Sequence, residues 1–423
     1  MLFSIPENAR KYTFRKGKAH IVAVICEYNP FHSGHARHLR LTRAAFPEEA
    51  VVCVMSGAFT QRGEPAILEK CARAEMAVRN GADLVVELPA AFAVAGARDF
   101  ASGCVQAAEL LGAETLSFGS ECGDLALLRR AAAILDDESA FSDSLRAELE
   151  KGEGFAAARF HAIQKIDPEA AEILRTPNDI LGVEYLRALK VHGMRGFAVK
   201  RLGAGHDEPL TETGYPSASA LREALKNGKT AWLSEHMPET AFAVLEREIT
   251  AGRAPVLPEV LESAVFACLR DYAPEDFLRF ADFPEGEGLE YRLRDALREN
   301  GTLDAVCAAA DSKRTPTARI RRAIWRSFLR LPREWSHEVP PFLRVLALNE
   351  RGAEILKTAK IPILSRSRQA ESLDERGKQW FRADERAGDL FALGYPEKTL
   401  RVCGNEKRLR PVFVPSLSGS PER

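Results

Sequence analysis

Ile21-Val22-Ala23-Val24-Ile25-Cys26-Glu27-Tyr28-Asn29-Pro30-Phe31-His32-Ser33-Gly34-His35 is a short apolar run that passes straight into a polar turn opening a helix. Ile21 to Cys26 is rich in β-branched side chains and lacks polar alternation, the pattern of a strand covered on both faces. Asn29 can cap the helix that follows, and Pro30 suits its first position. His32 and His35 are three apart and share one face of the first helical turn. Gly34 removes a side chain where a ligand would approach the backbone. The helix N-terminus adds free N–H groups and a partial positive charge. Two imidazoles, open backbone donors and a glycine gap form a site for a polyphosphate. An exposed polar turn would account for the histidines singly, but not for strand, cap, Pro, Gly and both histidines falling in one window. His32, His35 and His38 near Glu27 also resemble a metal set, but no second cluster supports one, and no protein-held metal is expected.

The same strand pattern recurs at Val51–Met55, Leu84–Leu88, Thr115–Phe118 and Phe197–Lys200. Helical patterns lie between, at Gly34–Ala45, Ala66–Asn80 and Phe100–Leu111, the last two ending at Gly81 and Gly112. Repeated βα units of this length imply an α/β fold with a doubly wound parallel sheet and right-handed crossovers. Residues 123–190 break the rhythm with helical segments alone and read as an insertion. From about 235 helices dominate, for example Leu257–Leu269, Gly288–Leu297 and Phe342–Lys357. The expected division is an extension at 1–18, a nucleotide-binding α/β domain at 19–234 and a mainly helical domain at 235–423. In an open α/β sheet, ligands bind beyond the strands' carboxyl ends. The segments 27–35, 56–65, 118–120 and 201–206 all fall at that edge.

With 423 residues, 46% hydrophobic and 28% charged, the chain reads as ordinary globular protein of two or three domains. Lys+Arg 59 against Asp+Glu 60 rules out a globally basic nucleic-acid binder, though not a local patch. No apolar run reaches the roughly 18 residues of a membrane span, and residues 1–20 lack a secretory apolar stretch. The eight scattered cysteines, with no C-x-x-C pair, read as reduced thiols in a cytoplasmic protein. One local patch exists: Lys313, Arg314, Arg319, Arg321, Arg322, Arg326 and Arg330 occur with no acidic residue among them. Ile320, Ile324, Phe328 and Leu331 recur at helical spacing, so an amphipathic helix with Trp325 beside its basic face is expected. Such a face is an electrostatic footprint for a phosphate backbone, and is favoured here over a helix paired with acidic neighbours.

His-x-Gly-His after the first strand resembles the signature of the HIGH superfamily of nucleotidyltransferases. The longer Glu27-Tyr28-Asn29-Pro30-Phe31-His32-Ser33-Gly34-His35 resembles the bacterial tRNA(Met) cytidine acetate ligase family. Matches continue in order through Ser56-Gly57, Gln61-Arg62-Gly63-Glu64-Pro65-Ala66, Gly81-Ala82-Asp83-Leu84 and Phe118-Gly119-Ser120-Glu121. Asn178-Asp179-Ile180-Leu181-Gly182, Lys200-Arg201-Leu202-Gly203-Ala204-Gly205, Ser217-Ala218-Ser219-Ala220-Leu221-Arg222 and Ser312-Lys313-Arg314 follow. Two positions depart from the family pattern: Ala58 stands where Asn is usual, and His206 where an aromatic Tyr follows Gly-Ala-Gly.

The resemblance implies a Rossmann-like, HUP-type fold and an ATP-dependent ligase. It would activate acetate as acetyl-adenylate and form N4-acetylcytidine at the wobble position of elongator tRNA(Met). His32 and His35 are then the catalytic pair. ATP would be held by Ile25, Cys26, Glu27, Tyr28, Asn29, Pro30, Phe31, His32, Ser33, Gly34, His35, Ala36, Arg37 and His38, with Gly119, Asn178, Arg201 and Leu202. Mg²⁺ would accompany ATP, and neither membrane nor DNA is expected as a partner. Arg222 would touch phosphate, although ordinary Ser capping explains Ser217 and Ser219 equally well. Gln61 and Arg62 are candidates for reaching acetate or nucleotide. A small-metabolite adenylyltransferase explains the histidine turn as well, but not the large helical half. A non-catalytic tRNA-binding protein is the third reading.

Overall fold

A computed structural model describes residues 20–416 except 153, 203–214, 284 and 314. The N-terminal extension, the Gly203-Ala204-Gly205-His206 stretch and Arg314 therefore lie outside the described residues. The strands are β1 (Ile21–Cys26), β2 (Ala50–Ser56), β3 (Phe59–Thr60), β4 (Glu64–Pro65), β5 (Leu84–Leu88), β6 (Thr115–Ser120), β7 (Arg195–Lys200), β8 (Leu343–Leu348), β9 (Ile363–Leu364) and β10 (Val412–Phe413). They form an eight-stranded sheet in the order β10-β8-β5-β2-β1-β6-β7 with β9 beside β8, while β3 and β4 make a separate hairpin. All pairings in the large sheet are parallel except β5 with β8. The five strands expected from the sequence form its parallel centre, and the winding reverses between β1 and β6. That reversal is where a doubly wound sheet opens a crevice for a ligand.

Both faces of the sheet are covered, which is why its strands read as unbroken apolar runs. Every residue of β2 is buried. Ile21, Ala23, Val52 and Val54 pack beneath the helices Ala97–Leu110, Leu125–Asp136 and Pro177–His192. Val22, Val24, Val51 and Cys53 face the opposite layer, the helices Ser33–Ala45, Lys70–Arg79 and Glu239–Thr250. Truncating one of these fully buried aliphatics to Ala costs about 2–5 kcal/mol, because the surrounding atoms close only part of the cavity. A third core lies in the helical C-terminal half and includes Ala58, Phe59 and Ala66 of the β3–β4 region. Helices alone connect β6 to β7.

The stretch Phe342–Lys357 is not a helix. Leu343–Leu348 forms β8, buried along its length, and only Glu350–Ile355 is helical, capped by Asn349. A six-residue run that is apolar but for Arg344 carries no periodicity that separates a buried strand from a buried helix. The partner that makes it a strand, β5, lies more than 250 residues earlier in the chain. The mainly helical C-terminal half thus returns to the sheet and supplies β8, β9 and β10.

Candidate nucleotide site at the carboxyl edge of the sheet

The helix after β1 begins at Ser33, and its N-cap is His32. Asn29 was expected there; instead its buried side-chain oxygen accepts the Ile67 N–H at 2.7 Å, tying the turn to the segment after β4. His32 caps with its ring: Nδ1 accepts the Gly34 N–H at 3.0 Å, and the His32 N–H is donated in turn to Nδ1 of His35 at 3.3 Å. Gly34 has a local reason as well as any ligand-related one. A Cβ there would lie 2.8 Å from Cε1 of His32, so the glycine makes room for the cap. With both Nδ1 atoms accepting, both rings carry their proton on Nε2.

The two rings lie 3.8 Å apart between centroids, over a floor made by Tyr28 and Phe31, whose rings sit 4.9 and 5.7 Å from that of His35. Burial pushes the His32 pKa down to about 3, with the Arg201 charge adding to it. Burial likewise holds His35 well below its ordinary value, helped by His32, Arg201 and His38. Both are neutral donors at pH 7. His38, lowered to about 4 chiefly by burial, turns toward the sheet: its Nε2 lies 2.9 Å from Ser117 Oγ in β6, and Ser117 also bonds Thr42. It fastens the helix to β6.

The remaining turn residues mostly hold the loop. Tyr28, Asn29, Pro30 and Phe31 are buried, and Ile25, Cys26 and Ala36 pack against the cores. Ser33 Oγ donates to the carbonyl of His236 at 2.8 Å, and Arg37 donates to that of Lys200 at 2.9 Å. The opposite wall comes from β6, β7 and the helix Pro177–His192. Arg201 follows β7, its N–H bonded to the Ser120 carbonyl at 2.8 Å and its side chain lying along Gly119. Glu121 accepts from the Asn178 amide and from the Asp179 N–H, and stands 3.9 Å from Nε of Arg201. Asn178, Gly119 and Arg201 thus meet at one edge, with the charge of Arg201 felt by all three histidines. Leu202 is half exposed beside them.

Arg222 has other partners than a phosphate in this structure. It donates to the Asn29 carbonyl at 3.0 Å and pairs with Glu64 at 3.2 Å, bracing the histidine turn, while Ser217 caps its helix. Gln61 donates its N–H to Glu27 at 2.7 Å, so the loop after β3 closes against the end of β1. Sequence reasoning sees Lys70 and Arg73 on the helix after this loop but gives them no role. Arg73, fully buried, donates to the carbonyls of Glu27, Ser56, Gly57 and Leu68 and clamps the ends of β1 and β2 together. Lys70 bridges Glu87 and Glu406, each at 2.7 Å. The available signal was charge within a helix most of whose other residues, Cys71, Ala72, Ala74, Met76, Ala77 and Val78, are small or apolar.

The basic run forms the helix Thr317–Leu329, with Ile320, Ile324, Phe328 and Leu331 buried as the spacing requires. Its basic face is not the expected open one. Arg326 is fully buried and donates to the carbonyls of Phe280, Ala91, Val94 and Pro332. Arg319 pairs with Glu287 at 2.8 Å and Arg321 with Asp304 at 3.1 Å. Trp325 is buried against Phe59, 5.3 Å between ring centroids. Lys313 and Arg330 remain exposed. Acidic partners and most of the carbonyls arrive from outside the run, Ala91 and Val94 from more than 200 residues away, which is why charge counting along the run overstated the footprint.

Among the described residues no group of three or more His, Cys, Asp or Glu is placed to hold a metal, and no helix is long and apolar enough to cross a membrane. A family model described as HIGH Nucleotidyl Transferase matches residues 19–406. A tRNA(Met) cytidine acetate ligase of Fervidobacterium nodosum is 36% identical over 91% of this chain and 97% of its own length. One of Syntrophomonas wolfei is 35% identical over 93% and 99%. The crystal structure of Thermotoga maritima TmcAL in an apo form superposes with a TM-score of 0.88 at 31% identity, covering 94% of this chain and all of the other. A form of that protein bound with alpha-thio ATP gives 0.86.

Proposed function

The chain belongs to the tRNA(Met) cytidine acetate ligase family of HIGH nucleotidyltransferases, and from that premise we propose that it activates acetate with ATP and transfers the acetyl group to N4 of the wobble cytidine of elongator tRNA(Met). The observation that carries this reading is the pair of neutral imidazoles at the reversal of the sheet, each with Nδ1 used by the backbone and its proton on Nε2.

Acetate attacks the α-phosphorus of ATP, acetyl-adenylate forms and pyrophosphate leaves. Such an in-line displacement needs positioning and charge stabilisation more than covalent help from the protein. His32 and His35 donate Nε2–H to phosphate oxygens as charge builds on them, and being pre-oriented by their own caps they need not reorganise. Arg201 supplies the full positive charge beside them, and Asn178 and Gly119 frame the nucleoside end. Mg²⁺ belongs to the substrate as MgATP; it keeps phosphate and water ligands and needs no dedicated protein cage. In the second step the cytidine amine, a weak nucleophile, attacks the mixed anhydride and AMP leaves.

Exchange of labelled pyrophosphate into ATP tests the first step. Acetate-dependent exchange in the wild type, reduced about 10²–10³-fold in His35→Ala by loss of one oriented donor, is expected. Silence with both acetate and elongator tRNA(Met) present would overturn the proposal.

A further inference from the structure

Glu27 leaves β1 on the face opposite the histidine helix. Ile21, Ala23 and Ile25 of that face pack with Cys104 and Tyr185, and both of these feel the Glu27 charge. The side chain is half-buried at the crevice between β1 and its neighbours. Its Oε1 accepts the Gln61 N–H at 2.7 Å and faces Ser56 Oγ at 3.4 Å; among the described residues no donor reaches Oε2 and no cation pairs with it. Other carboxylates near this edge are matched. Glu64 pairs with Arg222, Glu87 with Lys70, Glu121 binds Asn178 and Asp179, and Glu69 and Asp124 cap helices. Of these, Glu27 is the one with neither a cation partner nor a helix N-terminus to cap, and its Oε2 is uncommitted at the strand end beside the proposed site of acyl transfer.

We propose that Glu27 is the residue that receives the cytosine exocyclic amine, accepting a hydrogen bond from N4–H and then the proton itself as N4 attacks the activated acetate. The inference rests on the ligase reading given above. A carboxylate matches the N4 amine of cytosine and rejects the O4 carbonyl that uracil presents in its place, so one group both reads the base and serves the chemistry. In the step, the N4–C bond forms, the bond from the acetyl carbon to the phosphate oxygen breaks, AMP departs with that electron pair, and the N4 proton passes to Glu27. Burial pushes the Glu27 carboxyl above its ordinary range, which makes it a better base; Arg62 and Arg73 oppose that shift and Glu64 reinforces it. Cys104 and Tyr185, the other titratable neighbours, are themselves held neutral by burial.

Glu27→Gln keeps an oxygen for the Gln61 N–H and removes only the base. Acetate-dependent pyrophosphate exchange and single-turnover transfer to tRNA(Met) are measured side by side across pH. In Glu27→Gln, transfer is expected to fall about 100-fold further than exchange, and the acid limb of the transfer profile to disappear, with Glu27→Asp recovering part of the rate and the limb. Equal losses in both steps would make Glu27 a brace for the Gln61 loop and overturn the inference, as would unchanged transfer. Absence of exchange in the wild type with elongator tRNA(Met) also present would instead count against the ligase reading itself.

Discussion

The histidine turn and the helix Thr317–Leu329 are the two segments the sequence marks out for phosphate contact, and the fold uses them in opposite ways. In the turn, every ring hydrogen bond made by His32 and His35 in their own cap goes through Nδ1 and leaves Nε2 as a donor. In the helix, the guanidinium of Arg326 is consumed by four backbone carbonyls, and Arg319 and Arg321 are matched by carboxylates. Polar side chains are available to a ligand where the backbone supplies their partners locally. They are unavailable where they supply the partners that distant backbone lacks.

Three experiments sharpen or break that contrast. The largest effect should separate activity from stability at the turn. Alongside its loss of exchange, His35→Ala should shift Tm by only a few degrees, since the ring gives up one 3.3 Å bond and its ring contacts with His32, Tyr28 and Phe31. A collapse of Tm would show the pair to be structural, like the helix. Next, Arg326→Met should destabilise the protein by about 3 kcal/mol or more in denaturant unfolding, because buried carbonyls lose a charged donor. Unchanged stability would mean that Arg326 is free for a ligand after all. The smallest effect belongs to Arg321→Gln, an exposed residue paired with an exposed Asp304. Stability should change by less than about 0.5 kcal/mol, and the salt dependence of tRNA binding should not move. A fall of about one in the log–log salt slope would restore the helix as a phosphate contact.

Most of the α/β half was legible because its signals are local. Gly81 and Gly112 end their helices with φ of +111° and +91°, as the sequence suggested. The five apolar runs became neighbouring strands with a simple parallel register. The cap at Asn29 was misassigned because several residues of the turn suit a cap, and only the contact with Ile67 draws Asn29 elsewhere. The partners of Arg222 were hidden for a similar reason: nothing near it in sequence announces Glu64 or the Asn29 carbonyl. The role of Arg73 escaped notice since a buried arginine looks, in sequence, like a surface one.

The sequence by itself determined the strand–turn–helix unit at 21–45, the spacing of His32 and His35 and the doubly wound order of βα units, all of which depend on residues within a few positions of each other. Tertiary structure alone decided that Leu343–Leu348 is a strand, that Arg326 is spent inside the fold while Arg319 and Arg321 are matched by carboxylates, and that Glu27, Gln61 and Arg73 meet at one strand end. Each of these is an exchange of hydrogen bonds or ion pairs between groups far apart in the chain. Such partners are set by how the layers pack, and no local pattern of residues records them.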